Sequence, residues 1–175
     1  LSLTLTEACT LTTVAYDEDL VDDEVYLDGE RILDHRATRV SRHMDLIRTH
    51  YYKVHARISS MNSMPAGTGL ASSASGFAAL TVAAIDAFGE GVPDADELSV
   101  WARRGSGSAC RSVPGGFVLW RAGTCDEDSL ATTLFEPGWW DLRDLCVVLS
   151  TATKAVPNRQ GHALAAAHPF MAARQ

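Results

Sequence analysis

The 175-residue sequence has no unbroken apolar run of about 18 residues, so its composition offers no membrane span and no membrane partner is expected. It has no initiator Met, and Leu1 to Thr6 carries neither the basic lead nor the long apolar centre of a secretory signal. Basic residues are few: 15 Lys and Arg against 22 Asp and Glu leave a formal net charge of −7. An acidic chain without a dense basic tract is a poor binder of nucleic acid, and no such partner is expected. The cysteines Cys9, Cys110, Cys125 and Cys146 form no CxxC pair. Their sparseness is that of reduced thiols in a cytoplasmic protein, not of a disulfide-stapled one. The histidines never fall in HxxxH or HxH spacing, which argues against a metal centre built from them. What remains is an ordinary balance, 46% apolar and 21% charged, enough for a real core in one domain or in a large part of a bigger protein.

Alternation of Leu with Ser and Thr over Leu1–Thr6 predicts a strand, and Thr10–Tyr16 predicts a second. Asp17 to Glu24 holds six acidic residues in eight and reads as a solvated loop. Val25–Leu27 and Arg31–Leu33 flank Asp28-Gly29, whose positive φ suits a tight hairpin turn. In Arg36–Thr49, Val40, Met44 and Ile47 predict one apolar helix face, with the Arg and His positions on other faces. Lys53–Ile58 reads as a strand and Leu70–Phe88 as a long apolar helix. Asp94 with Glu97 three residues on predicts a capped helix through Arg104. Pro114-Gly115-Gly116 turns into a strand over Phe117–Arg121, Glu136-Pro137-Gly138 marks a loop, and Leu145–Ser150 reads as a buried strand. Gln160–Gln175 is Ala-rich and helical in propensity. The first strand starts without a lead and this last helix lacks a stop signal, so both ends read as interior cuts. Trp101, Trp120, Trp139 and Trp140 read as core or subunit-contact residues. The order of elements predicts an α+β fold, with helices stacked on a mostly antiparallel sheet.

The most informative stretch is Pro65-Ala66-Gly67-Thr68-Gly69-Leu70-Ala71-Ser72-Ser73-Ala74-Ser75-Gly76. Glycines let the backbone approach a ligand closely, and the following helix aims free N–H groups and its positive dipole end at the loop. That combination favours a phosphate, with the hydroxyls of Ser72, Ser73 and Ser75 adding hydrogen bonds or a Mg²⁺ contact. It is not a Walker A loop, which needs a Lys that is absent here. The competing reading is a small-residue turn that packs two helices closely. A second cluster, Arg103-Arg104-Gly105-Ser106-Gly107-Ser108-Ala109-Cys110-Arg111-Ser112, offers two hydroxyls, permissive backbone N–H groups and a guanidinium for a carboxylate or phosphate. Arg103 and Arg104 read more simply as charges at a helix C-terminus, and Cys110 as a packing residue. Two anion sites suggest phosphoryl transfer.

PAGTGLASSASGFAAL (Pro65–Leu80) together with RRGSGSACRSVPGGFVLW (Arg103–Trp120) closely resembles the diphosphomevalonate decarboxylase family of the GHMP kinase superfamily. LSLTLTEACTLTTVA and CVVLSTATKAVPNRQGH resemble the same family's second strand region and later substrate loop. The resemblance implies a fold in which residues 1–144 form an N-terminal domain like ribosomal protein S5 domain 2, without its first strand region. Residues 145–175 would begin a ferredoxin-like C-terminal domain, truncated here. It implies ATP-dependent decarboxylation of mevalonate 5-diphosphate to isopentenyl diphosphate through phosphorylation of the C3 hydroxyl. ATP and Mg²⁺ are the implied cofactors, phosphorylated mevalonate the partner, and a homodimer a common state.

By position, the resemblance assigns Gly67, Gly69, Leu70, Ala71, Ser72, Ser73 and Ser75 to the ATP phosphates, with Ser73 at the phosphate or Mg²⁺. It assigns Ser106, Gly107, Ser108, Ala109, Cys110 and Arg111 to the substrate, with Arg111 on the carboxylate. Arg39 corresponds to the family's other substrate-binding Arg, with Arg36 as the alternative one turn earlier. Lys154 falls on a phosphate approach. Three departures stand out. The family's N-terminal Lys and aromatic segment has no counterpart. None of Asp126, Asp128, Asp141 and Asp144 matches the motif of the catalytic aspartate, so little or no turnover is expected of these residues alone. Pro157-Asn158-Arg159 replaces a Ser-Ser-Thr run at the 5-diphosphate end, which makes Arg159 a candidate substrate contact. It also keeps open a phosphomevalonate decarboxylase, a mevalonate 3-kinase, or a non-catalytic nucleotide-binding relative.

Overall fold

The computed structural model describes residues 1–64 and 72–145, with Val147 and Phe170. The elements are β1 (Ser2–Leu3), β2 (Thr10–Tyr16), β3 (Glu24–Leu27), β4 (Glu30–Arg31), α1 (His35–Arg48), β5 (Ala56–Asn62), α2 (Ser72–Asp86), α3 (Ala95–Gly105), β6 (Phe117–Trp120) and β7 (Ala131–Phe135). Short 3-10 turns cover Gly107–Ser112 and Pro137–Trp139.

The α+β expectation holds, with corrections to individual strands. There are two sheets, β2-β5-β3-β4 and β1-β6-β7. All pairs are antiparallel except β3 with β5, which run parallel because α1 and the β3–β4 hairpin lie between them. The hairpin turns as expected, with positive φ at Asp28 and Gly29 (52° and 86°). Its second strand is only Glu30–Arg31; Ile32 follows it, buried, with its N–H donating to the Val25 carbonyl at 2.8 Å. The strand expected over Lys53–Ile58 lies further on, at Ala56–Asn62. Ala56, Ile58 and Ser60 point inward there, a period-2 face that the sequence carries past Ile58. β7 was not anticipated, although Thr132, Thr133, Leu134 and Phe135 are good strand residues. Leu145 and Val147, expected in a buried strand, lie outside any strand and are exposed, since no described element covers them. The rest of that strand and the final helix fall outside the described residues.

The core lies between β2-β5-β3 and the helices. Val25 and Ile58 meet Met44 and Ile47 of α1, Phe77, Leu80 and Ile85 of α2, and Leu98 and Trp101 of α3. Each such large apolar side chain contributes about 1.5–3 kcal/mol by leaving water. α2 is flanked by β2, β5, α3 and the first 3-10 turn, and its alanines permit that close approach. α3 starts as its capping signal predicts: the Asp94 carboxylate accepts from the Glu97 N–H at 2.9 Å.

Two charge readings change. Asp23, in the acidic run, is not solvated: its side chain is 2% exposed and pairs with Arg48, itself 6% exposed, while accepting from the Ala56 N–H at 2.9 Å. His43 and Arg48 of α1 are buried too, not on outer faces. Partners from other elements make both placements affordable, since Thr81 takes the imidazole and Asp23 the guanidinium. Among the described residues no helix is long and apolar enough to cross a membrane.

Candidate phosphate and carboxylate site

A cleft of about 720 Å³ opens between the segment leading into β2, one face of α2, and the residues following the Ser-Gly-Ser turn. Thr4, Thr6 and Thr10 line one wall, Ala78 of α2 lies on another, and Ser75 and Arg111 face the same space.

Ser72 opens α2, whose first turn carries no acidic residue. Ser73 is exposed there, while Ser72 and Ser75 are half-buried. The Ser75 hydroxyl reaches the Ser72 carbonyl at 3.3 Å and lies 2.8 Å from Thr10 Oγ1, whose own hydroxyl donates to Asn62 Oδ1 at 2.8 Å. β2 and β5 therefore hold the start of α2 through a line of hydroxyl and amide groups. Gly67, Gly69, Leu70 and Ala71 lie outside the described residues, as do Lys154 and Arg159.

The second motif folds as a cap on α3. Ser106 is extended (φ −152°, ψ 122°) and its carbonyl accepts from the Ala109 N–H at 2.7 Å. Cys110 is fully buried; its thiol donates to the Gly107 carbonyl, and burial pushes its pKa up. That environment fits a packing residue and not a nucleophile. Ser99 is the residue the sequence did not single out. It is fully buried in α3, donates to the Cys110 carbonyl at 3.1 Å and accepts from the Ala131 N–H at 2.9 Å. One hydroxyl thus fixes the turn to both α3 and β7.

Arg111 ends this turn. Its guanidinium carbon lies 6.0 Å from the Trp120 ring centroid, and its Nε is buried without a hydrogen-bond partner. Among the described residues it makes no ion pair. Arg103 and Arg104 differ sharply: both bind Asp126, at 2.5 and 2.7 Å, and hold its carboxyl below the usual range. Their charges serve the fold.

The comparisons with known proteins decide the family. The model of the diphosphomevalonate decarboxylase-like N-terminal domain matches residues 1–131. The chain belongs to that family. It is 38% identical to the diphosphomevalonate decarboxylase of Eremothecium gossypii over 170 residues, 87% of this chain and 42% of that protein. The mevalonate diphosphate decarboxylase of Staphylococcus aureus superposes with a TM-score of 0.79 at 35% identity, over 91% of this chain and 48% of that one. A structure of MDDEF in complex with MVAPP, AMPPCP and magnesium gives 0.71 at 41% identity, over 75% and 40%. The chain spans less than half the length of these relatives. Its α+β fold is that of their GHMP kinase superfamily.

Among the family positions, Ser75 and Arg111 line the cleft, whereas Ser72, Ser73 and Arg39 do not. Ser106, Gly107, Ser108, Ala109 and Cys110 form the turn behind Arg111 and do not line it either. Of the two α1 candidates, Arg36 is held by the Asp34 carboxylate at 2.9 Å. Arg39 makes no ion pair among the described residues and lies with its guanidinium carbon 5.0 Å from the Phe77 ring centroid. Asp128 caps its own loop through the N–H groups of Thr124 and Cys125, which lowers its pKa to about 2. Among the described residues no three His, Cys, Asp or Glu side chains gather to hold a metal ion. A magnesium ion beside these residues would take its ligands mainly from phosphate oxygens, with a serine hydroxyl as a single protein donor, as this ion commonly does.

Proposed function

We propose that this chain supplies the substrate- and phosphate-holding part of an ATP-dependent decarboxylase. It acts on mevalonate 5-diphosphate and yields isopentenyl diphosphate, ADP, phosphate and CO₂. Residues 1–144 then form the N-terminal domain and residues 145–175 begin the next one. The observation that carries the reading is Arg111, a partly buried guanidinium with no ion pair among the described residues. It faces the same cleft as Ser75, one turn into a helix of the family's phosphate-loop motif. A buried cation without a counter-charge is costly unless a ligand supplies one. The substrate has a carboxylate at one end and phosphates at the other.

The chemistry needs little more than placement and charge. A tertiary hydroxide leaves poorly, and ATP supplies the phosphoryl group that makes it a good leaving group. The start of α2, with Ser72, Ser73 and Ser75, steadies phosphate oxygens through backbone N–H groups and hydroxyls. Arg111 orients the carboxylate, Ser106 to Cys110 set the direction of Arg111, and Arg39 is a further substrate contact outside this cleft. The catalytic base is not among the described carboxylates.

The test is ADP and CO₂ release by the enzyme made from its complete reading frame. Mevalonate, its 5-phosphate and its 5-diphosphate are offered in turn. CO₂ with the diphosphate supports the reading. CO₂ with the monophosphate alone, or ADP without CO₂, replaces it by one of the sister activities and makes Arg159 the first residue to mutate. No product with any of the three leaves a binding protein.

A further inference from the structure

We propose that Trp120 is a positioning residue for the substrate carboxylate: its indole is the platform that sets the Arg111 guanidinium. This inference rests on Arg111 receiving that carboxylate.

Three contacts make the platform. The Arg111 guanidinium carbon lies 6.0 Å from the indole centroid, within the range at which a cation is attracted to a ring face. At the other end of the turn, a Cβ placed on Gly107 would lie 3.7 Å from Trp120 Cη2. The indole therefore spans the turn from its first residue to Arg111. The ring is itself tethered: Trp120 Nε1 donates to Ser129 Oγ at 3.2 Å, and the Ser129 hydroxyl reaches the Arg121 carbonyl at 3.3 Å.

Ser129 is fixed in turn from α3, where Arg103 Nε donates to its carbonyl at 2.7 Å and Arg103 also grips Asp126. The paired arginines of the motif thus hold the loop that holds the indole. No carboxylate among the described residues steers Arg111, so the ring is the group that limits where its charge sits.

The experiment measures initial rates of ADP release in the complete enzyme, with the phosphorylated mevalonate it turns over, for Trp120→Ala, Trp120→Phe and Arg111→Lys. In Trp120→Ala the KM for that substrate rises roughly 2- to 30-fold, the size of a cation–ring contact, while kcat and the KM for ATP stay within about twofold. Trp120→Phe recovers most of the substrate KM. In an Arg111→Lys background Trp120→Ala adds little, because the two side chains act as one unit.

An unchanged substrate KM in Trp120→Ala, beside a raised one in Arg111→Lys, overturns the platform and leaves the role of Arg111 standing. An unchanged substrate KM in Arg111→Lys, or no turnover of any of the three substrates, overturns that role and the platform with it. Losses spread evenly over kcat and both KM values, with no recovery in Trp120→Phe, also overturn it. If Trp120→Ala does not fold, Ser129→Ala, which frees the ring, decides the matter: a raised substrate KM supports the platform and an unchanged one removes it.

Discussion

The imidazole of His43 in α1 presses on Gly105 at the end of α3, so that a Cβ there would come within 2.8 Å of His43 Nδ1. The same methyl group would run into the Phe77 ring of α2. Three helices meet at this point, and the hydrogen atom of a glycine is all that fits between them.

Gly105→Ala therefore overpacks the junction. Urea unfolding should give a loss of about 1–3 kcal/mol. The Ser106–Ser112 turn, which starts at this residue, should loosen with it. A midpoint equal to that of the parent protein would mean the helices separate freely here.

His43 also ties stability to pH. Its Nε2 bonds Thr81 Oγ1 at 2.8 Å, and the Thr81 hydroxyl already donates to the Phe77 carbonyl at 2.7 Å, so Nε2 is the donor and Nδ1 carries the lone pair. Burial lowers the pKa from 6.5 to about 4. Between those values the unfolded chain binds the extra proton, so stability is intact above pH 6.5 and falls as pH drops towards 4. The loss approaches about 3 kcal/mol. Unfolding midpoints at pH 7 and pH 4.5 should differ less in His43→Gln than in the parent; an equal difference would place the titration elsewhere.

Asp23 joins the strand region to α1 by its buried pair with Arg48. Asp23→Ala leaves the guanidinium only its exposed partner Asp45, at 2.8 Å, and also removes the acceptor of the Ala56 N–H. A loss of about 1–3 kcal/mol is expected in urea unfolding. A loss below about 1 kcal/mol would be the signature of a solvated surface pair.

Thr10 supports the start of α2. Thr10→Val keeps the shape and removes the hydroxyl that meets both Asn62 and Ser75. About 1–2 kcal/mol of stability should be lost. In the complete enzyme the KM for ATP should rise more than the KM for the mevalonate substrate, and the reverse order would detach Thr10 from the phosphate end.

The helices were the most legible part of the sequence, for local reasons. Asp94 and Glu97 mark the start of α3 within one residue, and Asp28-Gly29 dictates its own turn. What was hidden depends on partners far along the chain. Nothing near Asp23 announces that Arg48 will neutralise it, and nothing near His43 names Thr81. The strand over Ala56–Asn62 is hard to place from sequence because its polar Ser60 and Asn62 bond hydroxyls of β2 and do not meet apolar neighbours. At the candidate site the motif pointed to Arg111 and Ser75. It could not point to Ser99, which lies outside it and whose two hydrogen bonds reach Cys110 and Ala131.

The pairing of β2 with β5 joins residues 40 to 52 positions apart, from Tyr16 with Ala56 to Thr10 with Asn62. Closing a loop of that size costs about 3–4 kcal/mol of chain entropy before any strand contact returns it. The β3–β4 hairpin and α1 lie inside the loop and need no such closure to form. The start of α2, held through Thr10 and Asn62, therefore draws its support from a contact that exists only once this long loop has closed.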